Sequence, residues 1–309
     1  MLTSLFRKST PLNYTLVFIT VTVFFSMYQF GRLSAANAEG NLFEKLGLLL
    51  VILFSVFTAN FIVKKNALSR KSAYTVLLYA MFLVFFPSLF NNPNLILSNF
   101  FILLALRRLV SLHSLKASKE KIFDASLWIF VAALFHFWSI LFIVLVFISI
   151  IFHAASDYRN WILPFMACAA ILALFALYAF MFDPSVIEHF QAKTQTNLSI
   201  DYFTDQTQNI ALSAYAVMAL YFTMAMIYTL SNRPVQLQSS YKQIVFSFFI
   251  GVIIFLISPV KSNDLLVYTI APLAFMGTAV IEYKPPTVKE DVILAVVIAL
   301  GMFLFFLQL

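Results

Sequence analysis

Long apolar runs alternate with short polar joints along the whole chain. The runs fall at about 13–30, 46–63, 73–90, 95–106, 122–152, 162–182, 210–230, 244–257, 265–281 and 292–309. None alternates in polarity residue by residue, as the strands of a membrane barrel do. A helix of about 20 apolar residues crosses about 30 Å of hydrocarbon and satisfies its own backbone hydrogen bonds there. The pattern therefore predicts an all-α polytopic membrane protein, with 1–309 as a single membrane domain. The joints are too short to hold a soluble domain, and no internal repeat is visible. The longest polar joint, 183–209, reads as a short extracytoplasmic segment.

One run decides the sidedness of everything after it. Residues 122–152 read KIFDASLWIFVAALFHFWSILFIVLVFISII, with His136, Phe137 and Trp138 near the middle. The stretch is overlong for one crossing and gives two short helices if it turns back. Basic residues concentrate on the cytoplasmic side of a membrane protein. If the stretch is a hairpin, sixteen of the twenty Lys and Arg share the side of the N-terminus, and only Arg32, Lys45, Lys193 and Lys261 lie opposite. A single pass gives thirteen against seven. The charge rule favours the hairpin, which predicts about eleven transmembrane helices, a cytoplasmic N-terminus, an outer C-terminus and a turn at Phe135–Ser139. His136 and Trp138 then stand at the outer side or line a cavity.

Composition agrees with the pattern. Hydrophobic residues make up 62% and charged residues 11%, against about 25% charged in a soluble domain. The net charge of +7 sits at helix ends, where it marks topology and a lipid-bilayer partner rather than nucleic acid. Cys168, alone in an apolar run, has no partner for an intramolecular disulfide. The basic opening MLTSLFRKST precedes a full-length apolar stretch, which predicts a retained first helix rather than a cleaved signal.

Chemistry-bearing residues are few. Phosphate loops, dinucleotide fingerprints, HExxH, CxxC and GxSxG are absent. The four histidines lack ligand spacing, so no metal is expected, and no cofactor is implied. Glu39 and Glu44 in the first outer joint have the chemistry of a general base on an acceptor hydroxyl, or are solvated loop carboxylates. Arg107 and Arg108 match phosphate oxygens, or anchor a helix end. Lys261, in SPVKSNDLLVYTIAPL, is placed to contact a lipid diphosphate, with Tyr268 two helical turns below it; the alternative is a snorkelling lysine beside a proline kink. His136 is the most interior ionisable residue of the sequence, a functional position by default in a membrane segment.

Three segments, SLFRKSTPLNY, KSNDLLVYTIAPLAF and NNPNLILSNFFILLALRRLVSLHSLKASKEKIFDASLWIFVAALF, resemble an uncharacterised family of multi-pass inner-membrane proteins from Bacteroidota. The resemblance runs over nearly the whole chain and implies the inner membrane of a Gram-negative cell. More faintly, the basic turn followed by Asp124 and a short helix pair is similar to the membrane regions of GT-C-type lipid-linked glycosyltransferases and glycan polymerases. That similarity implies action on a polyprenyl-phosphate carrier, with Lys261 and Tyr268 on its phosphate and Glu39 or Glu44 as base. In that class the acidic pair is adjacent; here four residues separate the two. Two functions are expected: an enzyme or accessory subunit in envelope glycan metabolism working with other inner-membrane subunits, or a non-catalytic assembly subunit. A small-molecule permease ranks behind both, because matching interrupted helices in two halves are missing.

Overall fold

A computed structural model describes residues 5–33, 42–70, 72–197, 205–283 and 288–309, and the regular elements among them are all helical. In chain order they are α1 (Pro11–Leu33), α2 (Leu42–Lys65), α3 (Tyr74–Val84), α4 (Pro93–Val110), α5 (Ser118–Phe135), α6 (Ile143–His153), α7 (Arg159–Met181), α8 (Ser185–Ala192), α9 (Gln206–Thr229), α10 (Val235–Ile257), α11 (Val267–Ile281) and α12 (Val288–Leu307). Among the described residues, eight segments are long and apolar enough to cross a membrane. The chain is a multi-pass membrane protein.

The count of about eleven crossings is not matched by eleven such helices. The run at 73–90 is α-helical only over the 11 residues of α3. Phe86 then leaves helical geometry, and Pro87 opens a 3-10 turn over Pro87–Asn91. Phe137–His153 is likewise a shorter apolar helix, and α5 carries Lys119, Glu120, Lys121 and Asp124 near its start. Elsewhere polar residues extend helices beyond their apolar cores. The run at 244–257 begins instead at Val235, just after Pro234. Its polar first turns are held by neighbours: Tyr241 donates to the Leu68 carbonyl at 2.7 Å.

The hydrophobic centre is formed by α3 and α11. Every residue of α3 is buried, and 94% of the most apolar stretch around α11 is enclosed by protein. Hydroxyls carried into that centre are paired with different neighbours. Tyr268 donates to Ser98 on α4 at 2.7 Å. Thr269 bonds Tyr215 on α9 at 2.7 Å, and Thr278 bonds Thr75 on α3 at 3.0 Å. Around this pair stand α1, α2, α4, α9, α10 and α12.

A hairpin flanks the bundle. The chain runs up α5, breaks at His136, and returns through a 3-10 turn (Phe137–Phe142) and α6. Lys119 at the start of α5 pairs with Asp157 beyond α6 at 2.9 Å, which closes the base. The hydrogen bond from Lys119 holds the exposed Asp157 carboxyl below its ordinary pKa. Arg108 pairs with Asp124 at 2.7 Å, joining the hairpin to α4, and Phe101 of α4 stacks on Trp128 and Phe135. The outermost span, α7, rests mainly on α5 and has only 22% of its apolar stretch buried.

The two ends of the bundle differ. Residues 5–10, Lys64, Arg107, Lys119 and Arg233 share one end, here the basic end. The His136 break, the 3-10 turns at 87–91 and 263–266, residues 183–197 and the last residues of α12 share the other. The Phe6 carbonyl accepts from the Ala73 amide at the basic end, whereas Gln308 donates to the Phe85 carbonyl at the opposite one.

Gly251 lets α10 approach α11. A Cβ there would stand 2.7 Å from Thr269 Cγ2 and 3.1 Å from the Tyr268 backbone carbonyl carbon. Gly251→Val is therefore expected to destabilise the protein by about 1–3 kcal/mol, the usual cost of overpacking. Gly47→Ala, whose Cβ meets open space, should leave the thermal midpoint in detergent unchanged or slightly raised.

Candidate functional site

Three interruptions of the helical backbone meet at the end opposite the basic one. Two follow from proline chemistry, which disfavours helical geometry in the preceding residue. Asn92 precedes Pro93 and leaves helical geometry with ψ 81°, and Ser258 precedes Pro259 with ψ 140°. The third is His136, extended at φ −136° and ψ 108°. Its amide completes α5 by donating to the Ala132 carbonyl at 3.1 Å, and its carbonyl receives the Ser139 amide at 3.0 Å.

Between these breaks lies a recess of about 220 Å³, faced by Asn92, Asn94, His136, Lys193, Ser258 and Ser262 over an apolar floor that includes Leu95, Phe135 and Leu265. The Ser258 hydroxyl donates to the Ile254 carbonyl at 2.8 Å. It therefore accepts from His136 Nε2, 3.3 Å away, which leaves Nδ1 of the imidazole with its lone pair. Behind the histidine its ring meets that of Tyr268 at 5.8 Å. The Ser88 hydroxyl donates to the buried Asp264 carboxylate and ties the turn at 87–91 to the turn at 263–266.

Residues 183–197 lie across the mouth. Trp138 Nε1 donates to the Gln195 carbonyl at 3.2 Å, and Phe137 packs edge-on against Phe190 at 5.6 Å. The Asn197 amide donates to the Ile257 carbonyl at 3.3 Å. This strap carries Lys193 to the rim.

The residues singled out from sequence are not gathered at one place. His136 lines the recess, and Trp138 holds its strap. Lys261 stands beside it, but its ammonium donates to the Leu256 and Phe255 carbonyls at the end of α10, and burial lowers its pKa from the ordinary lysine value. Tyr268 is fully buried, with its hydroxyl on Ser98 rather than in the recess. Arg107 and Arg108 are at the basic end: Arg107 lies over the Phe61 ring at 4.7 Å, and Arg108 pairs with Asp124. Glu44 is exposed in the first turn of α2 and does not line the recess. Glu39 lies outside the described residues. Conversely, Asn92, Asn94, Ser258 and Ser262 were not legible as lining. Asn-Asn-Pro-Asn reads only as a turn, and the sole sequence signal for Lys193 was its rarity as a basic residue on its side.

The recess presents ammonium, imidazole, amide and hydroxyl groups, and no carboxylate belongs to its described lining. Such a mixed set of donors and acceptors, with a cation and no carboxylate, suits an anionic or hydroxyl-rich group.

A family model matches residues 5–309, nearly the whole chain. The chain belongs to DUF6427, a family of unknown function. No curated protein and no solved structure matches it.

Tyr268→Phe removes a buried hydrogen bond and leaves Ser98 without it. The expected outcome is a loss of about 1 kcal/mol, read as a lower thermal midpoint of the purified protein in micelles. A midpoint equal to wild type would show that the hydroxyl is not held in the core.

Proposed function

We propose that this DUF6427 chain is an accessory subunit of envelope glycan or polyprenyl-phosphate-linked sugar metabolism in the inner membrane of a Gram-negative cell. The recess around His136 receives the phosphate-bearing headgroup of the carrier lipid, and Lys193, exposed at the rim, supplies the cation. The observation that carries this reading is a recess beside the hairpin turn that presents an ammonium, an imidazole, amides and hydroxyls and no carboxylate among its described lining. Its role is binding and presentation. A transferase version needs a base, Glu39 or Glu44, brought over the recess, and a catalytic partner fills that need without this loop. The one-sided placement of all three helix breaks speaks against a permease, which interrupts its helices near the membrane midplane. The weakly covered α7 gives the assembly-subunit reading its support, since lipid or a neighbouring subunit covers that face.

In the same reading the basic end is cytoplasmic, the recess faces outward, and the hairpin and α3 bring the crossings to about eleven. A cysteine at Thr196, in a Cys168→Ala background, is expected to react with an impermeant maleimide only from the periplasm, and one at Ser114 only from the cytoplasm. Labelling of both from one side would overturn the sidedness.

For function, lipid extracts of wild-type and deletion strains are compared by mass spectrometry. Accumulation of a carrier-linked glycan in the deletion strain, relieved by wild-type protein and at least fivefold less by Lys193→Glu, is expected. An unchanged polyprenyl-phosphate pool would sink the proposal.

A further inference from the structure

The basic end holds a second cavity, of about 540 Å³, whose lining is Lys8, Ser9, Thr10, Lys64, Ser69 and Arg70. Each of these side chains is a cation or a hydroxyl. Positive residues at a helix end ordinarily reach out into water as topology anchors. This cluster is built differently. Asn13 of α1 folds its amide back onto the Leu5 and Lys8 carbonyls, both at 2.8 Å, and fixes the N-terminal strap over the cavity. Lys64 is half-buried and donates to the hydroxyls of Ser9 and Tyr14, so its charge is held at the cavity wall. The opposite wall is fixed as well. Tyr241 holds the Leu68 carbonyl, and Glu282 accepts from the Ser69 hydroxyl at 2.8 Å and the Arg70 amide at 2.7 Å. Glu282 thus positions the loop from behind without lining the cavity. The described ion pairs of the protein, Arg108–Asp124 and Lys119–Asp157, involve none of the three lining cations. Thr10, which lines the cavity, immediately precedes the first turn of α1.

We propose that this cavity is a phosphate site, which takes a phosphate group through Lys8, Lys64 and Arg70 with the Ser9 and Thr10 hydroxyls as supporting donors. One held cation, Lys64, two exposed cations, Lys8 and Arg70, and the Ser9 and Thr10 hydroxyls match the negative charge and the several acceptor oxygens of phosphate. The phosphate belongs either to an anionic phospholipid or to a soluble ion. The site lies at the opposite end from the His136 recess and does not depend on the function assigned there.

The test uses the full-length protein. Native mass spectrometry from micelles doped with equal phosphatidic acid and phosphatidylcholine reads lipid retention. Isothermal titration with inorganic phosphate reads the soluble ion. Lys8→Gln/Arg70→Gln removes two exposed cations without removing packing, and Lys116→Gln/Lys289→Gln removes two exposed cations elsewhere at the same end. The site predicts at least fivefold preferential binding of phosphatidic acid or of inorganic phosphate by wild type, lost in the first variant and kept in the second. Whichever arm responds identifies the source. No preference in either arm, or equal loss in both variants, overturns the proposal. Lys8→Arg/Arg70→Lys should retain binding, so a loss there with intact folding would also count against it.

Discussion

Three hydroxyl pairs tie α11 to the helices that enclose it, and the bundle is arranged around their satisfaction. Tyr268, Thr269 and Thr278 reach α4, α9 and α3 respectively. In a bilayer the packing of apolar faces has no water to escape, so close approach and interhelical hydrogen bonds decide which helices meet. Each such bond contributes modestly, about 0.6 kcal/mol on average in one well-measured membrane protein. Their directionality matters more here. A rotation of α11 about its axis would break all three at once, and Gly251 permits the close approach of α10 that locks the rotation from another side.

That locked centre explains why the polar recess is at one end. The neighbours of α11 keep their regular hydrogen bonding through the middle of the bundle, and the backbone leaves helical geometry only where side chains or turns replace the lost bonds. Asn92, His136 and Ser258 each mark such a place. The backbone of His136 serves both the end of α5 and the start of the following turn, while its side chain faces the recess. Scaffold and lining are thus the same residue, and the strap at 183–197 is held by side chains from the same break. The basic end is built on another plan, with loops pinned from behind by Asn13, Tyr241 and Glu282 and cations left facing forward.

Much of the helical plan was legible in the order of apolar runs, and the return at His136 was legible in the distribution of Lys and Arg. Hydropathy alone misread the edges. Pro87 ends α3 early because the residue before a proline avoids helical geometry, whereas Pro272 sits in an early turn of α11 and is absorbed. The polar turns of α10 were taken for a joint because a single sequence cannot say that Tyr241 and Ser240 are buried against neighbours. The candidate residues fared by the same logic. His136 was visible as an interruption. Tyr268 was visible as a polar residue in a span, but its partner Ser98 lies 170 positions away, a separation no local pattern encodes.

The central position of α11 also sets an order of construction. Ribosomes deliver this segment after six helices of the bundle's centre and its surround, α1, α2, α3, α4, α9 and α10, have already been made, so the middle of the bundle is filled late. Until residues 263–281 emerge, Thr75, Ser98 and Tyr215 face a gap where their eventual neighbour will stand. The surrounding ring is itself completed only afterwards, when α12 follows α11 out of the ribosome.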